Sequence, residues 1–234
     1  IALWCKKNGF MPRGNNQYGA DISAPHEKGV QTYFDSGAGK TGRVATGSGP
    51  ASWAHDGTNN GIFDLNGNVW EWVDGLRLNN GEIQVIPDNN AAQAVDQSAT
   101  STLWKAILQD GSLVDPGTAD TLKWDYTATP AAGAAFRLNT AVEYPQADDT
   151  PYGHNSFAAL TAKAGVTVPE ILKALALFPA DTNDHGGDYM WMRNNGERLP
   201  FRGGYWSYGS DAGVFALSLR GPRSNVGSSI GFRA

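Results

Sequence analysis

The stretch RGGYWSYGSDAGVFALSLRG, residues 202–221, alternates apolar side chains with a chemically mixed set of Tyr, Ser, Asp, Arg and Gly. Every second residue from Phe215 to Leu219 is apolar, and successive side chains of a strand point to opposite faces. The alternation therefore predicts a strand whose apolar frame is buried. It also predicts that the mixed residues in the gaps of this frame face solvent together on one surface.

Only one segment of the chain has convincing helical periodicity. In TVPEILKALALFP, Thr167 and Glu170 make a capping box ahead of an apolar stripe. The opening IALWCKKNGF is interpreted as the end of a helix that begins before Ile1, so the chain is expected to be truncated at its N-terminus. Cys5 on that helix is expected to be a small buried hydrophobe.

Most of the remaining chain consists of short strand-like runs separated by loops. It contains 29 Gly and 12 Pro, and the run VWEWV follows a turn at Asn66-Gly67. GEIQVI, STLWKAIL and GTADTLKWDYT are further predicted strands. We therefore predict one α+β domain over residues 1–234, with short antiparallel strands, long ordered loops and a mixed insertion at residues 85–189.

Composition and side-chain spacing exclude several classes of function. The net charge is -5 with no cluster of Lys or Arg, so no nucleic-acid partner is expected. No apolar run approaches the about 18 residues that a membrane span needs, so no membrane insertion is expected. Cys5 is the only cysteine, and the four histidines lack metal-ligand spacing, so we do not expect an enzyme. The histidines are His26, His55, His154 and His185.

Three motifs occur in a recognisable order: DLNGNVWEWVDG, then FRGGYW, then a terminal IGFRA. Together they resemble the formylglycine-generating-enzyme subtype of the C-type lectin fold. The resemblance leaves an oxidoreductase of that kind as an alternative function. That chemistry uses a pair of C-terminal cysteines, and this chain has none after Cys5. A calcium-dependent sugar-binding lectin ranks lower, because the Glu-Pro-Asn and Gln-Pro-Asp signatures are absent.

Residues 201–234 are similar to the variable region of proteins diversified by retroelements, in which error-prone copying replaces adenines in AAY codons. Such replacement cannot yield Lys, Glu, Gln, Trp or Met, and none of these occupies a gap of the frame. The resemblance implies a hypervariable ligand-binding surface on a fixed scaffold. The implied ligand-binding residues are Tyr205, Ser207, Tyr208, Asp211, Ser218, Arg220, Gly221, Asn225, Gly227 and Ser229.

The same resemblance implies what surrounds this surface. It implies a variable protein or cell-surface ligand as the partner, a phage virion or a bacterial cell surface as the location, and a capacity to form oligomers. It implies no required cofactor. The frame residues expected to anchor the core are Trp70, Trp72, Trp206, Phe215, Leu217, Leu219, Ile230 and Phe232.

The motif NGNVWEW has two interpretations. The resemblance implies a structural Ca²⁺ ion held by hard oxygen ligands. These would be side-chain oxygens of Asn66 and Glu71 and backbone carbonyls of Gly67 and Val69. Alternatively, the motif is only a turn and a core strand, with Glu71 in a buried ion pair with Arg202 or Arg233.

Overall fold

The computed structural model describes residues 1–183 and 185–232, which form a mixed α+β fold that is mostly sheet. Its two α-helices are α1 (Ala2–Lys7) and α2 (Glu170–Ala174). Four short 3₁₀ helices span Ala51–Trp53, Asn90–Ala92, Phe157–Ala159 and Gly209–Asp211. Within the described ranges, every helix is too short to cross a membrane.

Sixteen strands make up the rest of the described secondary structure. The first seven are β1 (Ala20–Asp21), β2 (Ala24–Lys28), β3 (Phe34–Asp35), β4 (Lys40–Thr41), β5 (Trp70–Trp72), β6 (Leu76–Asn79) and β7 (Glu82–Val85). The next five are β8 (Lys105–Ile107), β9 (Leu113–Val114), β10 (Lys123–Tyr126), β11 (Phe136–Asn139) and β12 (Gly153–Ser156). The last four are β13 (Tyr189–Met192), β14 (Glu197–Gly203), β15 (Gly213–Gly221) and β16 (Ile230–Gly231).

Twelve of these strands belong to one sheet, whose main path runs β11-β10-β7-β6-β14-β15-β13-β12. The long strand β14 joins its two halves, because Arg198 pairs with β6 whereas Phe201 pairs with both β5 and β15. Most pairings are antiparallel, as the sequence predicts. The exceptions are the parallel pairs of β13 with β15 and of β16 with β5.

The segment predicted as an insertion, residues 85–189, contributes strands β8 to β12 to this sheet. The predicted strands in GEIQVI, STLWKAIL and GTADTLKWDYT are confirmed as β7, β8 and β10. Trp124 on β10 packs edge-on against Phe136 on β11, with ring centroids 5.4 Å apart. The segment therefore carries part of the main hydrophobic core rather than only loops.

The prediction for the core holds for most of the frame. Trp70, Trp206 and the alternating residues from Phe215 to Leu219 are buried. Phe232 is the exception, since it is 77% exposed, and the prediction is wrong there. Strand β16 pairs with β5 through only two residues and ends before Phe232, so none of the described strands covers that ring. Trp72 and Ile230 are only partly buried.

The two helices differ in how well the sequence predicts them. Helix α1 ends as expected, with Gly9 at φ 65° after two lysines, and Cys5 is fully buried. The capping box before α2 is wrong, because the backbone N–H of Thr167 donates to Gln109 Oε1 at 2.8 Å and the helix starts after Pro169. Its end comes early, as Ala176 adopts φ 50°.

Candidate ligand-binding surface

An aromatic cluster covers the face of β5, β13, β14 and β15 that points away from the main core. Ala216 points into it, whereas Phe215 and Leu217 on either side point into the main core. The cluster is defined by the buried residues Trp70, Trp191, Phe201 and Ala216 and the partly buried residues Trp72, Tyr152, Tyr189, Tyr205, Tyr208 and Ile230.

Tyr208 is the best-fixed of the predicted ligand-binding residues. Its ring meets Trp191 at 4.9 Å, Trp70 at 5.3 Å and Tyr205 at 4.6 Å, each edge to face. Its hydroxyl oxygen accepts a hydrogen bond from Arg220 Nη2 at 2.6 Å. Burial raises the pKa of the Tyr208 phenol above its ordinary value. Tyr208 is therefore a neutral, rigid hydrogen-bonding aromatic at neutral pH.

Arg220 links the predicted variable residues to a tyrosine outside their segment. Its guanidinium lies over the Tyr152 ring, 4.9 Å from the centroid, and that of Arg193 lies 5.7 Å from the same centroid. Arg193 also donates to the backbone carbonyls of Pro151 and Arg220, at 3.1 and 3.0 Å. Two cations thus hold one tyrosine ring in a cation–π arrangement beside Tyr208.

Asp211 and Ser207 lie at the turn between β14 and β15, and both are partly buried. Burial raises the pKa of the Asp211 carboxyl, while the nearby His154 opposes the rise. His154 is exposed and packs edge-on against Tyr189 at 5.7 Å. This turn therefore brings an acidic side chain to the edge of the aromatic cluster.

Two predicted ligand-binding residues are buried, so the prediction that the whole set faces solvent is wrong. Ser218 is 1% exposed, and its hydroxyl has no hydrogen-bond partner among the described residues. A Cβ placed on Gly221 would lie 2.5 Å from the Phe201 ring. Because β15 is flanked by β13 and β14 and covered by the aromatic cluster, both of its faces are inside.

The last three predicted residues follow β15 in a loop. Asn225 and Ser229 are partly buried, and Gly227 is exposed. Asn225 lies beside Gly221, and the carbonyl of Ser229 accepts a hydrogen bond from the Trp70 N–H at 2.8 Å. The loop is thus tied to the edge of the cluster through Trp70.

The structure places Tyr208 in direct contact with both Tyr205 and Arg220, with the loop after β15 at their border. Sequence reasoning missed the residues of β12 and β13 that complete this surface. In YMWM on β13, Tyr189 and Trp191 point to the cluster, whereas the intervening Met190 is fully buried in the main core. That alternation was visible in the sequence, and it predicts one face shared with β15.

The motif at residues 66–71 is held by an amide network. Asn66 Nδ2 donates to the Pro12 carbonyl at 2.9 Å, and its Oδ1 accepts from Asn16 Nδ2 at 3.3 Å. Asn68 Oδ1 accepts from the Val44 N–H at 2.9 Å, and Gly67 donates its N–H to the Gly203 carbonyl at 2.8 Å. These bonds fix the turn that leads into β5.

Glu71 on β5 lies opposite Arg202 on β14 in the strand register. Arg202 Nη2 donates to the carbonyls of Leu175 and Ala176, at 3.1 and 3.0 Å, rather than to Glu71. Burial lowers the pKa of the Arg202 guanidinium to about 10, so it stays charged at neutral pH. The other partner expected for Glu71, Arg233, lies outside the described residues.

Within residues 1–183 and 185–232, no three His, Cys, Asp or Glu side chains converge as metal ligands. The calcium site predicted at Asn66, Gly67, Val69 and Glu71 uses one carboxylate together with amide and backbone oxygens. The Asn66 oxygen already accepts a bond from Asn16, so a calcium ion there would have to compete with that bond. Calcium binding at this motif stays a prediction.

Comparison with known proteins assigns no function to this surface. Its interpretation depends on the geometry of the aromatic cluster and on the motifs of the sequence. No protein-family model matches the chain, and no curated protein sequence matches it.

Proposed function

We propose that the chain is a retroelement-diversified display protein with a C-type lectin fold of the formylglycine-generating-enzyme subtype. One observation carries the proposal. Tyr208 contacts both Tyr205 and Arg220 on the aromatic cluster, while frame residues between them, such as Trp206 and Phe215, are buried. A segment built in this way can change its outer side chains without changing the residues that hold the fold.

The chemistry of the surface favours a macromolecular ligand. Tyrosine offers a large rigid contact area at low entropic cost, and Tyr and Arg are enriched among residues that dominate binding energy. Neighbouring rings and hydrogen bonds hold Tyr208 and Arg220 in place before a ligand arrives, which lowers the cost of binding. The partner in this proposal is a protein or cell-surface ligand met by a phage virion or a bacterial surface.

The oxidoreductase alternative lacks its chemical groups. Cys5 is the only cysteine of the chain, and burial raises the pKa of its thiol, so the reactive thiolate is disfavoured. Its Sγ donates to the His55 carbonyl at 3.7 Å. The proposal therefore includes no catalysis and no required cofactor, with a structural Ca²⁺ at residues 66–71 as an optional addition.

The DNA beside the gene tests the origin of the diversity. We expect a reverse-transcriptase gene and a near-copy of the 3′ end of this gene that differs from it chiefly at adenines. The differing codons should encode the predicted ligand-binding residues and not Trp206 or Phe215. A locus with no such copy, or with differences spread evenly over frame codons, would overturn the proposal.

A pair of displayed libraries tests the surface itself. One library varies the seven predicted positions that are neither buried nor glycine, and a control library varies the frame at four buried positions. We expect protease-resistant clones and binders to a chosen target, such as lysozyme, from the first library only. Equal loss of folded clones in both libraries would contradict the display surface. The seven positions are Tyr205, Ser207, Tyr208, Asp211, Arg220, Asn225 and Ser229, and the four are Trp206, Phe215, Leu217 and Leu219.

A further inference from the structure

Two guanidinium groups share one tyrosine ring at the edge of the aromatic cluster. The guanidinium of Arg220 lies 4.9 Å from the centroid of the Tyr152 ring, and that of Arg193 lies 5.7 Å from the same centroid. Arg193 and Arg220 form the guanidinium pair, and both are partly exposed, so a ligand can reach them. Arg220 lies in the segment proposed to vary, whereas Arg193, just after β13, and Tyr152, just before β12, lie outside it.

The guanidinium pair belongs to a patch of positive charge on a chain whose net charge is -5. Neither member forms an ion pair with a carboxylate among the described residues. The buried Arg198 lies beside them, because its Nη1 donates to the Arg220 carbonyl at 3.4 Å, as Arg193 Nη1 does at 3.0 Å. Asp149 is the carboxylate whose charge acts on Arg193, and Arg198 already binds it through both Nη atoms. Three guanidinium groups thus surround one carboxylate that is already engaged.

Hydrogen bonds fix the guanidinium pair and leave some of its donors unused. Arg193 Nε and Nη1 donate to the carbonyls of Pro151 and Arg220, at 3.1 and 3.0 Å, and Arg220 Nη2 donates to the Tyr208 hydroxyl at 2.6 Å. The donors without a hydrogen-bond partner among the described residues are Arg193 Nη2 and the Nε and Nη1 atoms of Arg220. Guanidinium donors form strong charge-assisted bonds with carboxylates, and donors already held in place lose little freedom on binding. The pair is therefore a preformed site for an anionic group.

We propose that the guanidinium pair binds an acidic side chain, Asp or Glu, of a protein partner. The inference rests on the proposed display function only in taking the partner to be a protein. The like charges of Arg193 and Arg220 repel each other, and a carboxylate bound between them offsets that repulsion. The buried charge beneath the pair, on Arg198, has the same sign and also attracts an anion. Constant and varied residues together would then select acidic partners.

The packing of the rings beside the guanidinium pair favours a protein over an acidic polysaccharide. A sugar ring stacks on an open aromatic face. Here the guanidinium of Arg220 lies over the Tyr152 ring, and Tyr208 packs edge to face against Trp191 and Tyr205. A carboxylate on a flexible side chain needs only the unused donors of the pair. Tyr and Arg are also the residue types that dominate binding energy between proteins.

Four matched probes test the sign of the charge and the source of the carboxylates. They are the peptides hexaglutamate, hexaserine and hexalysine and the acidic sugar hexagalacturonate, each titrated into the protein at neutral pH and low ionic strength. The net charge of the chain favours hexalysine, so saturable binding of hexaglutamate indicates a local basic site. We expect hexaglutamate to bind more tightly than hexaserine and hexagalacturonate, and to bind more weakly as ionic strength rises. Its amide shifts should be centred on Arg193 and Arg220.

Single-charge variants locate the site. Arg220→Gln and Arg193→Gln should each weaken hexaglutamate binding about tenfold, because each removes a charged donor. Arg193→Lys keeps the charge but loses the planar fork, so it should weaken binding less than Arg193→Gln. Lys28→Gln is the control, since it removes the same charge from an exposed residue of β2 and should change the affinity less than about twofold. Melting temperatures of all four variants report their folding.

Three outcomes would overturn the proposal. They are absence of saturable hexaglutamate binding by the unmodified protein, equal losses of affinity in Arg220→Gln and Lys28→Gln, and tighter binding of hexagalacturonate than of hexaglutamate. Arg220→Gln loses one hydrogen bond, to the Tyr208 hydroxyl, so it remains a test if Arg193→Gln lowers the melting temperature.

The failure of this proposal and the failure of the display function are distinguishable. A locus without a template copy would overturn the display function and leave hexaglutamate binding by the guanidinium pair unaffected. Binders from the library of varied positions, together with no hexaglutamate binding by the unmodified protein, would overturn the acidic-partner site alone.

Discussion

The predicted variable segment has two parts that are held in different ways. Residues 205–221 contain β15, which lies between β13 and β14 and is buried on both faces. Residues 222–232 contain only β16, which pairs with β5 through two residues. Val226 is 87% exposed and Phe232 is 77% exposed in this second part. One part is anchored inside the sheet, and the other is a border loop.

This difference shows that tolerance to substitution depends on the atoms that pack around a residue. Its place in an alternating pattern does not determine that tolerance. Ser218 and Gly227 both occupy gaps of the apolar frame. Ser218 lies under the aromatic cluster, whereas Gly227 has no neighbour closer than 3.8 Å to an added Cβ. Diversification at the two positions therefore has different structural limits.

The largest effect is expected where the anchored part enters the main core. Phe215→Ala removes a fully buried ring that packs against Phe157 at 5.2 Å, so it should lower the free energy of unfolding by about 3–5 kcal/mol. Val226→Ala in the border loop should change it by less than about 0.5 kcal/mol. Urea denaturation measures both. Similar losses for the two variants would remove the distinction between the parts.

A matched pair of glycines sharpens the comparison further. Gly221→Ala places a Cβ against the buried Phe201 ring and should cost about 1–3 kcal/mol through overpacking. Gly227→Ala adds the same methyl group where only Ile230 and Ser229 are near, at 3.8 and 4.0 Å. Neither glycine has a positive φ, so backbone strain does not separate them. Equal melting temperatures for the two variants would show that the Phe201 ring moves to make room for the new methyl group.

Local patterns in the sequence predict much of the fold. The strand at Trp70–Trp72, the buried residues from Phe215 to Leu219 and the end of α1 follow from alternation, turn residues and helix-end residues. The length of α2 does not, because Ala176 turns into a left-handed conformation that its sequence does not require. Phe232 is exposed because the pairing of β16 with β5 stops at Gly231. The extent of that pairing is a tertiary property, which the local sequence does not determine.

The site is predicted less completely than the fold. Alternation places Arg220 and Ser218 on one face, and the structure agrees, since Arg220 lies over Tyr152 on the cluster side. Alternation alone does not indicate that this face is covered near Ser218 and open near Arg220. The residues that flank Ser218 across the neighbouring strands are Trp191 on β13 and Phe201 on β14, and both belong to other segments of the sequence. Long-range strand order therefore decides which gap residues reach solvent.

Calcium should act on the border between the two parts. Strand β5 carries Glu71, and its Trp70 N–H donates to Ser229 in the border loop. If Ca²⁺ binds at residues 66–71 with about millimolar affinity, about 5 mM calcium should stabilise the fold by about 1 kcal/mol. Chelation should then lower the melting temperature and speed amide exchange at Trp70. Identical melts and exchange rates with calcium and with chelator would favour the purely structural role of the motif.

Replacing Asp211 gives the smallest expected change in stability, and the sign of that change is informative. Burial raises the pKa of its carboxyl, so the stability linked to this group is fully present below the unfolded pKa and is lost as pH rises through the folded pKa. The charged side chain is therefore a cost to the anchored part at pH 7. Asp211→Asn should raise the melting temperature at pH 7, with a gain within about 0.5 kcal/mol that disappears near pH 3.

Asp149 is a control for Asp211, because its carboxyl pKa shifts in the opposite direction and its replacement should change stability with the opposite sign. Hydrogen bonds from the side chains of Arg198 and Asn195 lower the pKa of Asp149, so its stabilisation is present above the unfolded pKa and is lost as pH falls through the folded pKa. Asp149→Asn should therefore lower the melting temperature at pH 7. Thermal melts of both variants between pH 7 and pH 3 measure the two signs. A drop in melting temperature for Asp211→Asn at pH 7 would mean that the carboxylate has a stabilising partner there, and that burial of this charge is not a cost to the anchored part.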